Sequence, residues 1–381
     1  MDTRRVYVDF HLIQTVPPSC INRDDTGRPK TAVYGGVLRA RVSSQSWKHA
    51  MREMFKEIYH ENCSYRTKYA ANLLVDEMCR MNPALDPQEA QKSALRVLTA
   101  LGLTKKDNKK DKKDTGDKES DKQENAGKVM LFISEAQVHA LADAILHAGN
   151  PVEKGGLSKE EKKRYQDVLI QNPSVDIALF GRMVAENQCL NVDATTQVAH
   201  AISTHSIQNE YDYFTAVDDY KPDDTAGASF LGTQEYNSAT LYRYATVNLQ
   251  DLVGMIGKKD AVEAVKEFAR VFICSMPTGK ENSFANRTLP DLVYVTLRED
   301  QPVNLCGAFE KPVYSENGGY EEKSVQQLAA YAQKVYENYC NAPNASFVIG
   351  DSTFAQSLGA EKVNLQNLLD HLGNTAESEV E

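Results

Sequence analysis

A chain of 381 residues, 41% hydrophobic and 25% charged, has an ordinary globular composition and is long enough for one elaborated domain or a main domain with a large insertion. A net charge of −10 argues, taken as a whole, against a general phosphate binder, so the placement of the positive charge matters more than its sum. No apolar run reaches bilayer length, MDTRRVYVDF lacks the apolar core of a signal peptide, and seven scattered cysteines form no C-x-x-C pair; these argue against a membrane span, export, a disulfide scaffold and a cysteine zinc site, and a cytoplasmic protein is expected.

In chain order, residues 6–13 place Val6, Val8, Phe10 and Leu12 on one face, which predicts a half-buried strand. The turn-rich PPSCINRDDTGRPK follows as a loop. Residues 37–42 alternate again, with Leu38, Ala40 and Val42 on one face and Arg39 and Arg41 on the other. Ser43-Ser44 supplies a helix N-cap. In that helix Trp47, Met51, Phe55 and Ile58 form the apolar stripe, while Lys48, Arg52 and Lys56 recur at spacing four as a basic one.

Residues 60–172 read as mostly helical, interrupted over 104–126 by a Lys/Asp-rich stretch with too few apolar residues to repay its ordering entropy, hence a disordered loop. VDIALFGRM (175–183) reads as a strand and 184–232 as an irregular polar and aromatic excursion. A strand at 241–249, a helix near 250–275, a strand at 292–297 and a helix at about 321–340 follow. The tail NTAESEVE is expected to fray. This order fits an α+β sheet with helices on one face, of which a ferredoxin-like or RNA-recognition-motif-like core is one example.

Positive charge is concentrated in residues 22–56, where eight Lys and Arg face three acids in an otherwise acidic chain. A helix N-terminus with free N–H groups, neutral donors at Ser43, Ser44 and Gln45, and Lys48 and Arg52 along one side suits a nucleic-acid backbone held without reading its sequence. The same pattern suits a solvated amphipathic helix beside an edge strand. Gly181-Arg182-Met183 allows close backbone approach and a protruding methionine, or a routine strand end. Catalytic signals are weaker: H-E-x-x-H, G-x-S-x-G, a P-loop lysine and G-x-G-x-x-G after a strand do not occur. Asp24-Asp25 and Asp218-Asp219 are paired acids, able to hold Mg²⁺ or simply to cap turns.

Taken together, PPSCINRDDTGRPKTAVYGGVLRARVSSQSWKHAMRE, VDIALFGRM, AHAISTHSIQNEYDYFTAVDD and LGTQEYNSATLYRYATVNL, in that order, resemble the CasC family, the backbone subunit of type I-E CRISPR Cascade, of the RAMP superfamily. The resemblance covers essentially the whole chain and is weakest in the helical insertion. It implies an RNA-recognition-motif-like palm (1–58 and 173–381), a thumb hairpin at about 184–232 and a helical fingers insertion (59–172). It implies no catalytic residue, no metal, no cofactor and no enzyme activity. The partners implied are crRNA, target DNA through the guide duplex, other Cascade subunits and several copies of the chain itself, six in the usual family assembly.

Carried over residue by residue, the resemblance assigns Asn22, Arg23, Lys30, Arg41, Ser43, Gln45, Lys48 and Arg52 to the RNA backbone. Gly181, Arg182 and Met183 match a strand end whose methionine wedges beside a displaced base. Phe214 and Leu231 match apolar thumb positions. The Lys/Asp-rich stretch departs from the family pattern and leaves the fingers' DNA contacts open. The alternative is a metal-dependent endoribonuclease on the same fold, using Asp24, Asp25 or Asp218.

Overall fold

The computed structural model describes residues 5–59, 64–104, 130–148, 157–171, 173–216 and 230–380. The Lys/Asp-rich stretch, apart from Thr104, lies outside them, as do Asp218, Asp219 and the thumb loop 221–229. Along the chain run β1 (Tyr7–Ser19), β2 (Thr31–Tyr34), β3 (Val37–Val42), α1 (Ser44–Tyr59), β4 (Ser64–Thr67), α2 (Ala70–Met81), α3 (Pro87–Ala100), β5 (Leu131–Ser134), α4 (Glu135–His147), α5 (Lys159–Ile170) and α6 (Val175–Phe180). Then come β6 (Thr196–Val198), β7 (Ala201–Ser203), β8 (Glu210–Ala216), β9 (Phe230–Asn248), α7 (Leu249–Ile256), α8 (Lys258–Cys274) and α9 (Glu281–Phe284). The chain closes with β10 (Leu292–Arg298), α10 (Glu321–Asn338), β11 (Ala345–Ile349), α11 (Ser352–Ser357), β12 (Glu361–Lys362) and α12 (Leu365–Val380). The class is mixed α+β, as the element order predicts.

The chain divides into two compact units. The first, residues 1–54, 196–250 and 261–381, holds a mostly antiparallel sheet in the order β12-β11-β10-β1-β9-β7-β3-β2, with β6 and β8 also paired to β9. β1 is not half-buried: Val8 to Gln14 are all buried. Phe10 packs under Phe268 and Phe272 of α8, at ring distances of 5.3 and 6.0 Å. From the other face, His11 lies against Tyr244 and Tyr294 at 5.2 and 5.5 Å, and Ile13 joins the cluster holding Leu328 and Ala332 of α10. Helices therefore cover both faces, where one was expected, because β1 is central and its polar residues are partnered internally. Asp9 accepts from Val303 N and Tyr244 Oη, and His11 Nδ1 pairs with Tyr242 Oη. The β1–β9 register slips between Val16 and Ser19, where Pro17 and Pro18 have no N–H to continue the ladder.

Two other expectations change in detail. Arg39 is fully buried, and the tail is helical. Leu368, Leu369, Leu372, Ala376 and Val380 keep one face of α12 buried through the acidic stretch, so packing holds what local sequence would let fray.

The second unit, residues 55–195 and 251–260, has its own apolar core around Leu74, Val97, Ile133, Leu141 and Leu169. It takes in 173–195, which the sequence reading assigned to the palm. VDIALF is a helix, α6, and not a strand. Gly181 terminates it with φ +74°, its N–H bonded to Ile177 O, which is the glycine stop of a short helix.

Candidate nucleic-acid interface

In the first unit, a continuous hydrogen-bonded run joins four of the residues singled out above. Asn22 O accepts from Lys30 N at 2.8 Å, Lys30 O from Arg41 N at 2.9 Å, and Asn22 Oδ1 from Ser43 N at 2.9 Å. The loop between them is closed by Asp24, whose Oδ1 accepts from Thr26 N, Thr26 Oγ1 and Arg28 N. Those bonds, that from Thr26 foremost, pull the Asp24 carboxyl below its usual range. Its work is structural: it builds the turn that carries exposed Arg23 and half-buried Lys30.

Ser43 caps α1, its Oγ accepting from Ser46 N at 3.3 Å, and Gln45 stands exposed in the first turn. One turn on, Lys48 and then Arg52 are half-buried. Burial of the Lys48 side chain lowers its ammonium pKa, as expected where an apolar stem is covered. The start of α1 is fixed from beneath. Trp47 is buried with the Arg243 guanidinium 3.7 Å over its ring, and Arg243 in turn donates to Gln14 Oε1 at 2.6 Å and to Phe272 O. Burial pushes Arg243 down to about 9.

The two arginines of β3 share a face but not a fate. Arg39 lies under the 305–310 turn and donates to Tyr34 O, Ser203 O and Phe309 O at 3.1, 2.9 and 2.9 Å. It offers nothing to a phosphate. Arg41, at the open end, bonds Thr31 O through Nε at 3.1 Å and meets His200 Nδ1 through Nη1 at 3.2 Å. Arg28, another of the eight basic residues, is paired with Glu235 at 2.7 Å.

β8 and the first half of β9 form a two-stranded ribbon whose β8 residues are all exposed. Phe214 faces Gly232 across the pair, its ring occupying the space a Cβ on Gly232 would need. Leu231 pairs with Thr215, one residue out of phase, so Phe214 and Leu231 decorate opposite faces of the ribbon. Tyr211 and Tyr213, 67% and 63% exposed, share the Leu231 face. Sequence reasoning missed these tyrosines, although EYDYF already shows the period of two.

In the second unit, Met183 is 81% exposed between two buried neighbours, Arg182 and Val184. Arg182 is not available to RNA. Its guanidinium donates to Leu190 O, Phe132 O, Gln137 Oε1 and Leu169 O, and burial lowers its pKa to about 10. It anchors the backbone from which Met183 projects, together with the reciprocal Arg182–Val192 bonds at 2.9 Å. Gly181 is required there, since a Cβ would lie 2.8 Å from Val192 O and 2.9 Å from Ala194 N. The structure thus brings Asn22, Lys30, Arg41 and Ser43 together on one unit, places Phe214 and Leu231 on that unit's ribbon, and holds Met183 on the other unit.

Residues 8–374 match the protein family described as CT1975-like protein. The chain is similar to a chain of a solved CRISPR RNA-guided surveillance complex in a pre-nicking state, at 32% identity and a TM-score of 0.79, covering 97% of this chain and 100% of that one. It is also similar to a chain of another CRISPR RNA-guided surveillance complex, at 30% identity and a TM-score of 0.72, covering 97% and 99%. No curated protein matches it.

Proposed function

The chain belongs to the CT1975-like protein family, and from that premise we propose that it is the guide-RNA-binding backbone subunit of a Cascade-type CRISPR surveillance complex. The observation that carries this reading is the bonded run Asn22–Lys30–Arg41–Ser43, which ties loop, strand and helix N-terminus together and sets the Lys30 and Arg41 cations on adjoining segments. Such an arrangement neutralises phosphates and releases counterions, giving salt-sensitive affinity without sequence preference. Arg23, Gln45, Lys48 and Arg52 extend it.

On the finer level, the proposal is a type I-E, RAMP-class subunit of the cytoplasm, stacking in several copies as a helical filament along crRNA. Phe214, Leu231 and Met183 displace single bases, leaving short runs ordered for pairing with target DNA, so that sequence is read by base pairing and shape by protein. The chain positions and does not cleave. In support, the Asp24 carboxylate accepts three hydrogen bonds through Oδ1 from its own turn.

The test is to express the full chain with a guide and without nuclease treatment, then record 260/280 nm absorbance and light scattering on a sizing column before and after ribonuclease. RNA held on a large particle that collapses with ribonuclease is expected. A nucleic-acid-free monomer, even with guide and partner subunits co-expressed, overturns the reading. Mg²⁺-dependent cleavage of the RNA by the purified chain would replace it with the endoribonuclease.

A further inference from the structure

His200 enters the sheet surface from the turn between β6 and β7, where Ala199 N bonds Tyr244 O of β9. Its imidazole is exposed, and its Nδ1 lies 3.2 Å from Arg41 Nη1. An arginine has only donors, so Nδ1 must be the acceptor and the ring proton sits on Nε2. The free imidazole is therefore neutral and offers an N–H outward, beside two cations.

We propose that His200 is a further guide-contacting residue, closing with Lys30 and Arg41 on one phosphate in a proton-coupled clamp. The inference rests on the guide-binding reading above and adds a residue and a regulation to that site. Without the anion, Arg41 occupies Nδ1, and Arg41 and Lys30 both disfavour a third positive charge; burial and these two cations lower the pKa of His200. Tyr244 on β9, whose main-chain oxygen holds Ala199 N, turns its hydroxyl to Asp9 at 3.1 Å. A phosphate reverses this balance. It neutralises the cations, accepts from Nε2–H, and favours a proton from solvent on Nδ1. That proton displaces Arg41 Nη1, which is then free to donate to the same phosphate. Binding takes up a proton, and affinity rises as pH falls.

The experiment measures binding of a fluorescent single-stranded RNA oligomer to the full chain at pH 8 and pH 6 at constant ionic strength, for wild type, His200→Gln and His49→Gln. His49, on α1 near Glu53, controls for an exposed imidazole outside the clamp. The wild type is expected to bind about five-fold tighter at pH 6, the gain of a charge-assisted over a neutral hydrogen bond. His200→Gln should flatten that response, and His49→Gln should retain it. Calorimetry in two buffers of different ionisation heat should show proton uptake by the wild type and none by His200→Gln. An unchanged pH response in His200→Gln, or its loss in His49→Gln, overturns the clamp while leaving guide binding intact. Absence of RNA binding by all three proteins at both pH values overturns the clamp, and, with RNA also missing when guide and partner subunits are co-expressed, refutes the guide-binding reading itself.

Discussion

Arg39 and Arg41 lie two residues apart on one face of β3, and replacing each by Gln should separate a fold-holding charge from an RNA-holding one. Arg39 donates to three main-chain carbonyls at 3.1 Å or less from a fully buried position. Gln is neutral and too short to reach all three, so every one of these carbonyls loses its charged donor and at least two lose any donor. At roughly 1.5 to 3 kcal/mol per charged bond, and allowing for the desolvation that removing a buried cation recovers, the net loss is about 3 kcal/mol. For a unit of this size that corresponds to a fall in melting temperature of about 6–12 °C. Below that transition the variant should keep the wild-type salt dependence of RNA binding. Arg41→Gln should do the opposite. It should melt within about 2 °C of wild type, since a half-buried edge position contributes little. Its log–log plot of affinity against salt should be shallower by about 0.7, one single-strand phosphate contact. Melting by circular dichroism and anisotropy titrations across a salt series read both effects. A stable Arg39→Gln with a shallower slope, or an Arg41→Gln that unfolds with its slope intact, would refute the division between them.

Lys48→Glu with Arg52→Glu should abolish RNA retention while the far-ultraviolet dichroism stays native; retention by the double variant removes the α1 basic stripe from the argument. Gly232→Val should act as a mimic of Phe214→Ala, because the new side chain occupies the space of the Phe214 ring and must expel it. Both variants should weaken target-DNA capture by an RNA-loaded complex more than they weaken guide retention, and an equal loss of both would contradict the ribbon's role. Burial raises the Asp9 carboxyl to about 6, so the folded state binds this proton more tightly than the unfolded chain. Its stabilising effect is complete below pH 4 and is lost as pH rises through 6. Denaturant titrations should therefore show wild type losing on the order of 2 kcal/mol relative to Asp9→Asn between pH 4 and pH 7. A difference independent of pH would show that Asp9 does not titrate in that window.

Local chemistry made much of the proposed guide-binding surface legible. Ser43 reads as a cap, Trp47, Met51 and Phe55 as a buried stripe, and the Asn22–Lys30 turn as a loop, because each depends on neighbours within a few residues. Phe214 and Leu231 were named from the resemblance to a family, but only the register of β8 on β9 puts them on opposite faces. VDIALF has a short apolar run that fits strand or helix equally, and the bonds from Ala178 N to Ser174 O and from Gly181 N to Ile177 O make it a helix. Arg182 and Arg39 looked like surface cations because sequence shows a charge and not the carbonyls that surround it.

What the sequence by itself determined is the segregation of positive charge into residues 22–56, the capped amphipathic start of α1, and the α+β class, all of them consequences of spacing along the chain. What only the tertiary structure decided is depth and partnership. Arg39 and Arg41 differ because a turn more than 260 residues away covers one of them, with Phe309 O on Arg39 Nη2. His200 meets Arg41 because β3 pairs with β7 in the register Arg41↔Ile202. Contacts of that kind follow from chain closure over long loops, and the periodicity of a single segment carries no record of them.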